Sequence, residues 1–249
     1  YIDYLKQGEF KDYFNDEVKF GIAHELVNKG IGTPGDVGNL IDFICRSFFA
    51  GDQLSYGTNL QIFDGEVSSI REFMNGDTFA SIMSQLKSIQ EYYNSLGWTL
   101  YTQPYTWHTS RFDSKTGKRV NVAGETDMIA VDQDGGIHII DFKTSKKSFT
   151  RKSGGKTDLE KIDPGYRTSW IGFYSEQQTM YKLMMQDNSL EFNIKSVELL
   201  PFSVKWKKDG DSFILNKVTN EPKNKSIQID FSDDVENRFT KEINIDEFK

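Results

Sequence analysis

Hydrophobic positions along the chain change their period near residue 98. Before that point they recur roughly every three to four residues, the spacing that lines one face of a helix. Ile2, Tyr4, Leu5, Phe10, Tyr13 and Phe14 form one such stripe, and Val18, Ile22, His24, Leu26 and Val27 a second that ends near Gly30 and Gly32. Pro34 and Gly35 mark a turn. Leu40 to Ala50 is the richest apolar stretch; broken by Asp42 and Arg46, it reads as an amphipathic helix. Residues 50–77 are rich in Gly and Asp and read as loop with short elements. Helical spacing returns at Ile82, Leu86, Ile89 and Tyr93, with Gly97 placed as a C-cap.

Beyond residue 98 the pattern is that of strands. Trp98–Tyr101 and Tyr105–Phe112 are β-rich, and the segment 113–117 is a plausible hairpin loop. Arg119–Val131 reads as one further strand, 134–136 as a tight turn, and Ile137–Phe142 as the strand that returns from it. A helix is expected over Ser169–Gln186, then strands over Ile194–Trp206, Ser212–Val218 and Ile227–Phe231, and a short C-terminal helix. This order predicts an α/β fold, a mixed central sheet flanked by helices. We expect one structural domain: an N-terminal helical part over 1–97, including the helix with His24, and a core of sheet and helices over 98–249.

Composition narrows the chemistry. A single cysteine, Cys45, excludes an intramolecular disulfide framework and a Cys-rich zinc or four-Cys iron–sulfur site within the chain. Such thiol economy suits an intracellular, cytoplasmic protein. No run approaches the ~20 apolar residues a membrane helix needs. The chain opens at Tyr1 rather than Met, which leaves an excised domain or a lost leader open. The net charge of -7 argues at first against a polyanion partner. Yet residues 143–167 hold eight basic and three acidic side chains, a local +5 that leaves -12 on the remainder. Since charges more than ~10 Å apart are largely screened from one another, the local field decides, and it suits a nucleic acid.

The densest cluster of chemistry is Gly124-Glu-Thr-Asp127, followed by Ile139-Ile-Asp-Phe-Lys-Thr144. Alternation along a strand sends Asp141 and Lys143 to one face and Phe142 to the other. The turn at 134–136 makes the two segments a hairpin. Counted from Gly135, Asp127 and Asp141 lie eight and six residues away, so a one-residue bulge would bring them level. Buried charges need compensation. A divalent metal held by Asp127 and Asp141, with Lys143 beside it, supplies that, and hard oxygen ligands without thiols favour Mg²⁺ or Mn²⁺. Glu125 is expected to be exposed, Cys45 to be core, and His108 and His138 to be ordinary strand residues.

Gly-x-x-Asp, then Asp-x-Lys, then Gln177-x-x-x-Tyr181 on the following helix resembles the PD-(D/E)XK nuclease superfamily, specifically its RecB-type branch. That branch also carries a histidine on an early helix, which His24 fits, although the glycine often found four residues before it is Phe20 here. The resemblance covers roughly residues 20–185 and implies a restriction-endonuclease-like core. It further implies that Asp127, Asp141 and the Phe142 carbonyl ligate metal, with His24 coordinating or positioning it. Lys143 would orient the attacking water or stabilise phosphate charge. Gln177 and Tyr181 would brace the site and touch the nucleic-acid backbone. The cysteines that bind an iron–sulfur cluster in some relatives are absent.

The expectation is therefore a Mg²⁺- or Mn²⁺-dependent deoxyribonuclease, exo- or endonucleolytic, in a repair, recombination, phage or mobile-element setting. DNA is the expected partner, gripped by Lys146, Lys147, Arg151 and Lys152, with Tyr166 and Trp170 available to stack on unpaired bases. A larger polypeptide or a helicase is a further expected partner. The competing class is a non-catalytic nucleic-acid-binding or assembly module that keeps the fold. A carbohydrate-active enzyme using the two carboxylates as acid and base is a weaker third, disfavoured by Lys143 and the basic flank.

Overall fold

In the computed structural model, which describes residues 34–61, 67–102, 105–150, 152–153, 156–157, 160–163, 168–188, 192–209 and 212–240, the helical spacing before residue 98 becomes α1 (Pro34–Ala50) and α2 (Gly76–Ser95). The earlier stripes and His24 lie outside the described residues. α1 buries Val37, Leu40, Ile41, Ile44 and Cys45 completely. α2 starts where the Asn75 carboxamide oxygen accepts the Thr78 N–H at 2.7 Å, satisfying a donor that has no partner inside the helix. It buries Ile82, Leu86, Ile89 and Tyr93 and stops at Leu96, with Gly97 taking the left-handed φ of 74° expected of a cap. Between the helices lie the short paired strands β1 (Asn59–Gln61) and β2 (Val67–Ser69) and a 3₁₀ turn.

The strands form a mixed central sheet. It consists of β3 (Thr99–Tyr101), β6 (Met128–Val131), β7 (Ile137–Ser145), β12 (Ile194–Asp209) and β13 (Ser212–Asn220), in the order β13-β12-β7-β6-β3, with β14 (Ile227–Ile229) also on β12. β7 and β12 are parallel and the other pairings antiparallel. A second sheet holds β4 (Tyr105–Asp113), β5 (Lys118–Thr126) and β15 (Phe239–Thr240), and two short antiparallel ladders pair β8 (Lys152–Ser153) with β9 (Lys156–Thr157) and β10 (Ile162–Asp163) with β11 (Thr168–Ser169). Alternation along β7 separates two cores. Ile140 and Phe142 face α1 and α2, while Ile137 and Ile139 face α3 (Trp170–Asn188). Each such side chain contributes roughly 1.5–3 kcal/mol when fully buried.

Two strand expectations are corrected. Residues 119–131 are not one strand, because the chain breaks at Asp127: β5 pairs with β4 in the second sheet, and β6 pairs with β7 in the first. Nor does the hairpin contain a bulge. The Asp132 carboxylate accepts the N–H groups of Asp134 (2.9 Å) and Gly136 (2.6 Å), and Gly135 supplies a φ of 78°. The ladder, from Val131↔Ile137 to Met128↔Ile140, is therefore centred on Asp134, and Asp127 and Asp141 stand level without an extra residue.

α3 is fixed across the second sheet. Arg111 on β4 grips the Asp187 carboxylate with Nε (2.7 Å) and Nη2 (2.8 Å) and donates Nη1 to the Phe239 carbonyl (2.9 Å). Six residues earlier on α3, Tyr181 lies against Gly124 of β5. A Cβ built on Gly124 would fall 2.4 Å from Tyr181 Cε1 and 3.0 Å from Met184 Cε, so only glycine allows this approach. On β7, His138 is buried, stacked on Trp98 with ring centres 3.7 Å apart, and bonded to Ser196 Oγ through Nδ1 at 2.8 Å.

Two outcomes follow. Gly124→Ala is expected to lose about 1–3 kcal/mol of stability, and Tyr181→Ala in the same chain should recover part of it, because the two changes share one contact. Urea unfolding of the four members of this double-mutant cycle measures the coupling, and strict additivity would contradict the packing. Burial holds the His138 pKa below its usual value, with Asp132 opposing. Between that lowered value and the unfolded value of about 6.5 the unfolded chain binds more protons, so stability falls as pH drops through this window and is unaffected above it. The stability difference between wild type and His138→Gln, followed by urea midpoint from about pH 7.5 to about 5.5, should shift against wild type on acidification.

Candidate active site

The ladder between β6 and β7 ends at Met128↔Ile140, whereas β7 continues to Ser145 with β12 on its other side. Among the described residues, the last five of β7 thus have one edge with no strand against it, and the break at Asp127 occupies that edge. The Phe142 N–H, which would otherwise meet a strand carbonyl, donates to Asp127 Oδ2 at 2.7 Å. A strand residue directs its N–H and C=O to the same side, so the Phe142 carbonyl faces this edge as well. The local sequence accounts for the geometry: a short, polar Asp closes the gap that the departure of β5 leaves open.

Asp141 and Lys143 emerge on one face of β7 and form an ion pair. Asp141 is only 2% exposed. Burial raises its pKa, Lys143 opposes the rise, and the Asp127 charge adds to it. For Lys143, burial works against the charge, but Asp141 and Asp127 outweigh it and hold the ammonium protonated. The ammonium also sits 5.1 Å from the centre of the Tyr174 ring on α3, a cation–π arrangement. Gln177 donates Nε2 to the Tyr181 hydroxyl at 3.1 Å, one helical turn apart, and burial together with Asp141 lifts the Tyr181 pKa to about 12. Strand and helix therefore bring Asp127, Asp141, Phe142, Lys143, Gln177 and Tyr181 together.

The sequence reading missed two residues. Asp42 and Arg46, the charges that interrupt the apolar run of α1, point into this site rather than to solvent. Arg46 donates Nε to Asp42 Oδ1, Nη1 to Glu125 Oε1 and Nη2 to Asp127 Oδ1, each at 2.9 Å. Glu125, expected to be exposed, is partly buried by this contact. Burial raises the Asp42 pKa, and repulsion from Asp127 raises it further. The available signal was an Asp and an Arg at helical i, i+4 spacing inside a segment otherwise made of core residues. Gly38 stands four residues before Asp42, the spacing sought before His24, and its Cα lies where an added Cβ would touch Thr144 Oγ1 of β7 at 3.4 Å.

Other expected residues fall elsewhere. His24 and Arg151 lie outside the described residues, as does Tyr166. Lys146, Lys147 and Lys152 are exposed. Lys146 caps the Trp206 ring at 3.5 Å, and Ser148 and the Phe149 N–H bond to Glu221 at 2.6 and 3.1 Å. The start of the basic segment is thus tied to the β12–β13 side of the sheet. Trp170 is half-buried against the α3 core.

The donor set suits a hard divalent cation. Asp42, Asp127, Asp141 and the Phe142 carbonyl offer only oxygen. Fully ionised, the four carboxylates of Asp42, Glu125, Asp127 and Asp141 exceed Arg46 and Lys143 by two charges, the deficit a dication fills. Among the described residues no three His, Cys, Asp or Glu already stand as a ligand group.

No curated protein matches the chain. A crystal structure from Eubacterium rectale, described as a "Putative exonuclease", is similar with a TM-score of 0.40 at 14% identity, over 93% of this chain and 81% of that one. A sequence model of the PD-(D/E)XK nuclease superfamily matches residues 31–248. With the greater part of its length so matched, and with Gly124-x-x-Asp127 and Asp141-x-Lys143 meeting at the open edge of β7, the chain belongs to the PD-(D/E)XK nuclease superfamily.

Proposed function

We propose that the chain is a hydrolase that cuts DNA phosphodiester bonds with the aid of Mg²⁺ or Mn²⁺. Membership of a nuclease superfamily supports hydrolysis of nucleic acid. The observation that carries the reading is the convergence of Asp42, Asp127 and Asp141 beside the Phe142 carbonyl at the end of β7, oxygen donors that repel one another in a largely buried site until a cation joins them. Asp127, Asp141 and the Phe142 carbonyl would hold the ion, with Asp42 as a further ligand from α1. When bound, such an ion lowers the pKa of its water and offsets the charge of a phosphate.

The protein's own groups supply the rest. The Lys143 ammonium, fixed between Asp141 and the Tyr174 ring, presents a positive charge where a phosphoryl oxygen gains negative charge, and the low local dielectric strengthens its effect. Burial of Asp141 keeps its carboxylate directed at that ammonium instead of at solvent. Gln177 and Tyr181 offer an amide and a hydroxyl on the same side of the site, where they would orient the backbone of the substrate. DNA is the substrate we propose, and exposed Lys147 and Lys152 extend the positive surface beyond β7.

Asp141→Asn keeps the shape of the side chain and removes its charge. Cleavage of DNA in Mn²⁺ is expected to fall by about a thousandfold or more, equivalent to roughly 4 kcal/mol of transition-state stabilisation. Circular dichroism should be unchanged. Asp127→Asn should remove most Mn²⁺ binding in calorimetry. A wild-type chain whose Mn²⁺ uptake ignores Asp127 would instead be a non-catalytic module that keeps the fold.

A further inference from the structure

Arg46 is 11% exposed, and its guanidinium reaches three carboxylates, Asp42 on α1, Glu125 on β5 and Asp127 at the strand break. Three of its N–H groups are used, one on each partner. The planar fork fixes the spacing of these acids in a way a flexible ammonium does not. The rest of α1 at this level is hydrophobic core, so the charge is not placed there for solubility. Both oxygens of Asp127 are engaged: Oδ1 accepts from Arg46 and Oδ2 from the Phe142 N–H.

From this geometry we infer that Arg46 is a resident counter-ion, which holds the acidic residues together in the metal-free protein and which a divalent cation must displace from Asp127 Oδ1. The inference rests on the metal-dependent reading given above. Two cations on one carboxylate oxygen repel each other, so an ion taken up by Asp127 drives the guanidinium back toward Asp42 and Glu125, where two of its hydrogen bonds persist. Arg46 is thus a positioning residue that acts through the carboxylates. It sets the metal affinity by competition, and it prevents the acids from spreading apart while no ion is present.

The test uses Mn²⁺ alone as the probe, with calorimetry and thermal unfolding in chelator and in Mn²⁺. Arg46→Gln is expected to bind Mn²⁺ about tenfold more tightly than wild type, the equivalent of about 1.4 kcal/mol. It should also melt at a lower temperature in chelator and regain most of that loss in Mn²⁺. A side chain with a merely structural role predicts lower stability together with weaker Mn²⁺ binding, and that result overturns the inference. Unchanged Mn²⁺ affinity overturns it too. Should Arg46→Gln fail to fold in chelator, Arg46→Lys decides, because the ammonium keeps the charge but cannot span three acids; its affinity should lie between the other two, and a value at or below wild type refutes the competition. Wild-type protein that takes up no Mn²⁺ through Asp127 would remove the metal reading itself, whereas uptake by wild type with no gain in Arg46→Gln removes the counter-ion role alone.

Discussion

Like charges confined in a low-dielectric pocket repel, and the arrangement around the end of β7 is organised by that constraint. Asp42, Glu125, Asp127 and Asp141 come from three elements of the fold and converge despite mutual repulsion, because Arg46 and Lys143 lie among them. Desolvation and repulsion together raise the pKa of both Asp42 and Asp141. Such clustering costs stability unless cations complete it. On the proposed function, the same unfilled demand for positive charge serves a reaction on an anionic phosphodiester.

The sheet supplies the place for this cluster by being incomplete. β7 is long enough to project Asp141 and Lys143 past the last pairing with β6, and β5 turns into a different sheet instead of continuing along that edge. Asp127 stands at that departure, and its bond to the Phe142 N–H satisfies a donor that an ordinary strand would have paired. On the opposite flank α3 comes close only because Gly124 has no side chain, and this approach places Tyr181 beside the acids. The glycine and aspartate of the first motif therefore act on different neighbours, one on helix packing and one on the backbone of β7.

Much of this was legible in the sequence where the signal is local. The alternation along the strand correctly sent Phe142 to one face and Asp141 with Lys143 to the other, and the i, i+4 spacing of Gln177 and Tyr181 correctly set both on one helix face, where the structure shows them hydrogen-bonded. The break at Asp127 was not legible, since a strand that changes sheets keeps β-type residues throughout; only the tertiary partners differ. The hairpin register was misjudged by the choice of centre, because the two hydrogen bonds to the Asp132 side chain move the turn by one residue. Asp42 and Arg46 were seen only as interruptions of an apolar face. Two opposite charges one turn apart in a core helix mark either a neutral pair or a site, and only the distance to Glu125 and Asp127 separates the two.

The most direct measurement is anomalous scattering from crystals grown with Mn²⁺. The account predicts a peak bounded by Asp42, Asp127, Asp141 and the Phe142 carbonyl, with Arg46 withdrawn from Asp127 Oδ1. Well-ordered Asp127 and Asp141 with no peak between them at saturating Mn²⁺, and Arg46 still in place, would contradict it.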